Sequence, residues 1–275
     1  MLEKIKCKLQ YSIDLGVDFL LRNINVEGLI SGETDLYRHC LATLCLVENP
    51  RDRNELVKLA LGHIAKHSYV NKNKLFVQLD DGKIPISINA LAGACFVSGN
   101  KKEWGLKYAN YIYDLGLVEH EEENKNFLAH CIYLFVKAYE LNQDNLWLDR
   151  AKSISSLLIS HDDLPNYWNM LAINYLGYHI EKSQEETEYV NSMAARCQDL
   201  DVYANYGLIF GDDWLIKIEK MVYERLQTQK PSSDPFKGGA FLDINNNIRI
   251  DWSYRNVHTF KRILEILKIY DSSKG

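Results

Sequence analysis

Apolar residues recur along this chain at helical spacing, in two alternating kinds of segment. The first kind carries one apolar stripe beside a charged back: Tyr11/Leu15/Phe19, Leu56/Ala60/Ile64, Trp104/Tyr108/Ile112, Trp147/Ala151/Ile154, Tyr189/Met193/Cys197 and Trp214/Ile218/Val222. Such a stripe predicts a helix with one buried face. Successive openings lie 45, 48, 43, 42 and 25 residues apart. The second kind is apolar around most of its circumference, and four of its members contain Leu-Ala: Leu41-Ala42, Leu91-Ala92, Leu128-Ala129 and Leu171-Ala172. Helices of that composition have to be buried on every side.

The pattern predicts outer helices over 2–22, 52–66, 101–115, 144–159, 184–198 and 212–227. Inner helices follow over 35–48, 86–98, 124–141, 166–181, a short stretch near 202–210, and 254–270. A period in the forties with two helices per unit marks a helical-hairpin repeat. Twelve alternating helices predict an all-α (α/α)6 toroid, one domain over 1–275. An open solenoid is the rival arrangement, but it requires polar capping units, and the terminal units here are not polar. Closure predicts that helix 2–22 packs against helix 254–270. Trp104, Trp147 and Trp214 are expected to be buried between the layers.

Loop lengths locate the expected working face. Connections from inner to outer helices are short, whereas three from outer to inner are long: Asn23 to Thr34, His67 to Pro85 and Lys230 to Ser253. Long loops at one end of a compact helical scaffold are where function gathers, here the N-terminal ends of the inner helices. Two of them predict short β-hairpins: a strand Lys74–Leu79 before Asp80-Asp81-Gly82, and a hairpin from Ala240 to Trp252 around Asn245-Asn246-Asn247.

Composition narrows the class. The net charge of −5 and pI near 5.9 argue against a nucleic-acid partner. No apolar run reaches the ~18 residues of a membrane span, and the N-terminus lacks a signal-peptide core, so a cytoplasmic protein is expected. Cys7, Cys40, Cys45, Cys95, Cys131 and Cys197 fall on apolar helix faces with no Cys-x-x-Cys, as reduced core thiols do. No metal or cofactor is expected, and oligomeric state is not legible.

Two segments, Gly99-Asn100-Lys101-Lys102-Glu103-Trp104 and Asn142 to Lys152, resemble the repeated turn-plus-outer-helix element of six-hairpin (α/α) toroids. That group includes N-acylglucosamine 2-epimerase-like proteins, unsaturated glucuronyl hydrolases and many glycosidases. The resemblance implies a carbohydrate-active enzyme with a small-molecule or oligosaccharide ligand in a central cavity. Phe19 to Gly28 and Lys237-Gly238-Gly239-Ala240-Phe241 are similar to repeat openings of terpenoid cyclases and prenyltransferases. The acidic motifs of that second group are absent. There is no Asp-x-Asp-Asp; His161-Asp162-Asp163-Leu164-Pro165-Asn166 is followed by Tyr167 where a third Asp belongs; and Gln78 to Ile84 lacks the expected Trp. An isoprenoid-processing enzyme therefore stays an alternative, as does a non-catalytic scaffold.

Candidate chemistry at the long-loop face comes from several segments. Asp35, Tyr37, Arg38 and His39 begin the first inner helix; Asp80 and Asp81 precede the second; Asp162, Asp163, Asn166 and Trp168 open the fourth. Asp201, Tyr203 and Asn205 precede the short fifth, and Asp251, Trp252, Tyr254, Arg255 and His258 open the sixth. Carboxylates mixed with aromatics suit sugars, since rings stack on C–H faces and acids move protons at a glycosidic centre. Histidines beside arginines suit epimerisation next to a carbonyl. Asp251, His258, Asp81, Asp35 and His39 are the expected catalytic set; Tyr37, Arg38, Trp168, Tyr203, Trp252, Tyr254 and Arg255 the expected binding set. Helix-end roles compete for Asp35, Asp163 and Asp201, and a turn role for Asp80 and Asp81. His130 reads as a satisfied core histidine, and His63 with His67 as helix-end cations before zinc ligands.

Overall fold

The computed structural model describes residues 2–30, 35–49, 54–99, 101–115, 127–160, 167–177, 179–181, 183–196, 200, 204, 211–234 and 237–274. Its helices are α1 (Leu2–Arg22), α2 (Leu36–Glu48), α3 (Asn54–Lys66), α4 (Ile86–Ser98), α5 (Lys102–Asp114), α6 (Phe127–Asn142), α7 (Asn145–Ser160), α8 (Tyr167–Leu176), α9 (Gln184–Arg196), α10 (Gly211–Leu226) and α11 (Ile250–Lys274). β1 (Ser68–Asn71) and β2 (Lys74–Val77) pair antiparallel, Ser68 opposite Val77. The short inner helix expected near 202–210 lies outside the described residues.

The two kinds of segment become two layers. In α4 every residue from Ile86 to Val97 is buried, because α2, α5 and α6 all pack on it. In α5, by contrast, burial is confined to Gly105, Tyr108, Ala109 and Ile112, one stripe turned toward α4. Inner helices pack in sequence, α2 on α4, α4 on α6 and α6 on α8, and α11 returns to α2. The chain therefore has the (α/α)6 toroid fold.

Closure rests on α1 against α11, as expected. Lys6 pairs with Asp271, so the two ends of the chain are neighbours. The apolar stripe of α1 differs from the expected one. Ile5, Leu9, Ile13, Val17, Leu20 and Leu21 are buried, while Tyr11 is 58% exposed. The tyrosine lies at the edge of the stripe, where its hydroxyl reaches Ser232 Oγ at 3.3 Å. Cys7 of the same helix is likewise exposed, and the described cysteines form no disulfide.

Two glycines permit long loops to lie directly on helix backbones. Gly28 has φ +84°, and a Cβ there would sit 2.0 Å from the Leu59 carbonyl oxygen. Gly239 has φ +90°, and its Cβ would sit 2.0 Å from the Leu15 carbonyl oxygen. Both conditions exclude a side chain. The loops before α2 and α11 are thereby pressed onto α3 and α1.

The segment 240–252 departs from the expected hairpin. Leu242 and Ile248 form a single bridge, Asp243 accepts from the Asn245 and Asn247 N–H groups at 2.9 Å each, and Asn246 turns at φ +59°. Helix starts at Ile250, so Asp251 and Trp252 stand in its first turn. Strand pairing ends there because the Ser253 N–H already bonds the Arg249 carbonyl, an i→i−4 bond.

Trp147 is 4% exposed, stacked on Phe135 at 5.7 Å and edge-on to Tyr113 at 6.2 Å. Trp104 is only half-buried, its ring capped by Lys101 at 4.5 Å, and the Trp214 side chain lies outside the described residues. Trp147→Ala is expected to lower unfolding free energy by ~3–5 kcal/mol in urea denaturation. A loss under ~1 kcal/mol would place Trp147 on the surface and break the repeat register.

Candidate functional site

Inner helices bring rings together on the toroid axis. Tyr37 of α2 lies 5.7 Å from His130 of α6 between ring centroids. Trp168 of α8 meets His130 at 4.6 Å and Tyr133 at 6.0 Å, both edge-on, and His258 of α11 at 6.4 Å. Tyr37, Trp168 and Tyr254 pack on one core cluster. Four expected residues, Tyr37, Trp168, Tyr254 and His258, are thus gathered from three inner helices.

Beside this array lies a cavity of about 280 Å³, lined by Glu48, Tyr133, Lys137, Glu140, Leu171, Tyr175, His258, Lys261, Arg262 and Glu265. Glu48 ends α2, Lys137 and Glu140 stand in the last two turns of α6, and Tyr175 in the last turn of α8. The cavity therefore belongs to the C-terminal ends of these inner helices, beside the short turns. That differs from the expected long-loop end. Its charges balance, three carboxylates against Lys137, Lys261 and Arg262.

Glu48 is the centre of this cavity, with its side chain 6% exposed. The Tyr133 hydroxyl donates to it, Lys137 Nζ stands at 3.5 Å and His258 Nε2 at 3.1 Å. Lys261 Nζ donates to its backbone carbonyl at 2.6 Å. Burial pushes the carboxyl up, yet Lys137, His258 and Lys261 together outweigh burial and hold it well below the usual carboxylate range. Burial lowers Lys137, but Glu48, Tyr175 and Glu140 raise it more, so it stays cationic. Burial keeps the Tyr133 and Tyr175 phenols protonated, far above their ordinary value. Arg262 reaches Glu265 at 3.4 Å, and Glu140 reaches His179 at 3.2 Å.

His130 is buried as expected but not satisfied: neither ring nitrogen has a hydrogen-bond partner. Its pKa is lowered to about 3 by burial alone. Its ring is neutral and held by Tyr37 and Trp168.

The remaining expected residues are placed elsewhere. His39 turns toward the outer layer, with Nε2 3.0 Å from the Ala60 carbonyl oxygen, because the all-apolar face of α2 packs on α3. Asp35 caps α2, accepting from the Tyr37 N–H at 2.8 Å. Asp81 accepts from the Lys83 N–H at 3.0 Å in an exposed turn, a bond that lowers its pKa. Asp251 accepts from Arg249 Nε at 2.9 Å and from the Trp252 N–H at 3.0 Å. Trp252 lies under Arg225 of the outer helix α10 at 4.7 Å and near Arg255 at 5.5 Å. Arg38 is exposed. Asp162, Asp163, Asn166, Asp201, Tyr203 and Asn205 lie outside the described residues.

Sequence reasoning missed Glu48, Tyr133, Lys137, Tyr175 and Lys261. Two of them carried a signal. Lys137 interrupts Phe135-Val136-Lys137-Ala138, and Glu48 closes Leu44-Cys45-Leu46-Val47-Glu48. A lone charge at the buried face of an apolar helix has to be paired. Among the described residues no group of three or more His, Cys, Asp or Glu side chains is placed to hold a metal ion, and no helix is long and apolar enough to cross a membrane.

No family model matches the chain, and no curated protein matches it in sequence. Solved structures do match in fold. A sugar epimerase from a ruminal bacterium superposes with TM-score 0.65 at 12% identity, over 96% of this chain and 98% of that one. A cellobiose 2-epimerase from Bacillus thermoamylovorans gives 0.66 at 10% identity, over 96% and 98%. An alpha-amylase from Clostridium perfringens gives 0.56 at 12% identity, over 94% and 97%. The likeness lies in the fold.

Glu48 and His130 act on stability in staggered pH windows that overlap only below the ordinary carboxylate value. The lowered His130 pKa means that the unfolded chain takes up that proton first, so stability falls as pH drops from 6.5 toward about 3. The lowered Glu48 pKa gives stability that is present above the ordinary carboxylate value and lost as pH falls through the folded one. In urea titrations at several pH values, His130→Leu is expected to flatten the decline between roughly pH 6.5 and 5. Glu48→Gln is expected to cost ~3–5 kcal/mol at neutral pH, because it removes the buried negative charge facing Lys137, which keeps only Glu140 at 3.4 Å. An unchanged slope or a cost below ~1 kcal/mol would contradict these assignments.

Proposed function

We propose that the chain binds a carbohydrate in the axial cavity and epimerises it at the carbon next to the carbonyl. The observation that carries this reading is His258, bonded through Nε2 to an ionised Glu48 and lying against Trp168. In the tautomer that gives its Nε2–H to Glu48, the lone pair of His258 lies on Nδ1. The carboxylate orients the ring and fixes its tautomer. In the open-chain sugar, Nδ1 takes the proton from the carbon beside the aldehyde and leaves a planar enediolate. The imidazolium then returns the proton to the opposite face once that intermediate has turned. Tyr133 and Tyr175 offer rings to C–H faces, and Lys137 stands among the cavity's charged groups. Two proteins that share the fold, a sugar epimerase and a cellobiose 2-epimerase, support this class.

Hydrolysis fits less well. Both glycosidase routes use a carboxylic acid that is protonated at working pH, and Glu48 is held ionised. An isoprenoid chain fits poorly too, since six lining residues are acids or permanent cations. A second reading, binding without catalysis, is favoured by one observation: Glu48, Glu140 and Glu265 each already have an ion-pair partner.

The test is an incubation with glucose, mannose, N-acetylglucosamine and cellobiose in deuterium oxide, followed by proton NMR of the C2 position. Epimerisation washes deuterium into C2 even where no net conversion accumulates. His258→Gln is expected to slow wash-in by ~10²–10⁴-fold while the melting midpoint moves by only a few degrees. Binding without wash-in would support the second reading. Release of reducing ends from oligosaccharides, with no wash-in, would replace epimerisation by hydrolysis.

A further inference from the structure

Away from the axis, three histidines form a continuous stack between α2, α3 and the loop before α2. His39 meets His63 edge-on at 4.8 Å between ring centroids, and His63 meets His67 at 5.2 Å. His39 is fully buried, with Nε2 facing the Ala60 carbonyl at 3.0 Å and Thr43 Oγ1 at 3.3 Å. His63 bonds the backbone carbonyl of Glu27. The Nδ1 atoms of both rings are buried with no hydrogen-bond partner. Each ring thus spends its N–H on a carbonyl and keeps a buried lone pair.

The charged surroundings make protonation costly. Lys66 of α3 and His67 act on His63 as like charges, and the exposed Glu27 of the loop is the acid that acts in its favour. On α2 the nearby acid is Asp35, committed to its own helix cap. A proton on His39 Nδ1 would be a buried donor with nothing to accept it. The three rings are not placed to hold a metal ion. A proton is the ligand they are built to exclude.

We propose that the His39–His63–His67 cluster is an acid-sensitive latch: the neutral His39 and His63 rings, backed by His67, hold α3 and the 24–30 loop against α2, and protonation of His39 or His63 releases them. The loop is pinned by the same elements, with Gly28 on the Leu59 carbonyl and Lys66 Nζ donating to the Glu27 carbonyl at 3.4 Å. Helix α2 carries Tyr37 and Glu48 to the axis, so the latch supports the candidate site from outside. The inference is independent of the sugar reading.

Hydrogen exchange read by mass spectrometry tests it, at about pH 7.5 and about pH 5, corrected for intrinsic rates, on either side of the ordinary histidine value. Peptides covering 24–30 and 54–67 are expected to lose protection at least about tenfold on acidification, while peptides of α6 and α7 hold theirs. His63→Gln, and separately His67→Gln in case the first variant folds poorly, are expected to reduce that difference by at least about threefold. An equal loss of protection in every peptide would mean global destabilisation and overturn the latch. So would unchanged exchange at low pH in the wild type, or a full acid response in both variants.

Discussion

Glu48 is a carboxylate with almost no access to water, and the middle of the toroid is arranged around keeping it charged. An ionised group in that position is tolerated only with cations and hydrogen-bond donors around it. Tyr133 and Lys137 come from α6, His258 and Lys261 from α11. Three inner helices that are far apart in sequence are therefore tied at one oxygen pair. The apolar seams between inner helices permit sliding, since dispersion contacts have little direction. The polar knot has direction, and it sets the register of α2 against α6 and α11.

The outer layer solves a different problem. Long loops have to cross the ends of the helices without leaving gaps, and Gly28 and Gly239 allow backbone to lie on backbone at Leu59 and Leu15. The same contacts bring Ile30 and Phe241 into the core, both fully buried. Loop, outer helix and inner helix are thereby fastened as one unit at two places around the ring, and α1 against α11 closes it.

Function, in the reading proposed above, uses what the knot already supplies. A histidine oriented by an ionised carboxylate is a structural tie and a proton carrier at once. Trp168 joins the two ends of the axis, touching His130 and Tyr133 on α6 and His258 on α11. His130 contributes shape and not charge, since burial keeps its ring neutral.

Periodicity determined the architecture, because which residues of a helix share a face follows from 3.6 residues per turn and needs no partner. Helices 2–22 and 86–98 came out to the residue, and most others within two or three. Caps and turns were equally local: Asp35 bonds its own helix, and Asp81 its own turn. Tyr37, Trp168, Tyr254 and His258 were legible as axial candidates for the same reason, standing near the starts of apolar helices. What tertiary structure alone decided is which face of each helix meets the axis and what waits there. His39 and Tyr37 are two residues apart, yet one faces Ala60 and the other His130. Glu48 read as no more than the last residue of an inner helix because its partners lie 85 to 213 positions away. His63 and His67 read as helix-end cations because the third ring, His39, belongs to another helix. Spacing along a chain carries the direction of a side chain about its own helix. The desolvation and Coulomb terms that make a site come from neighbours that only the packed ring supplies.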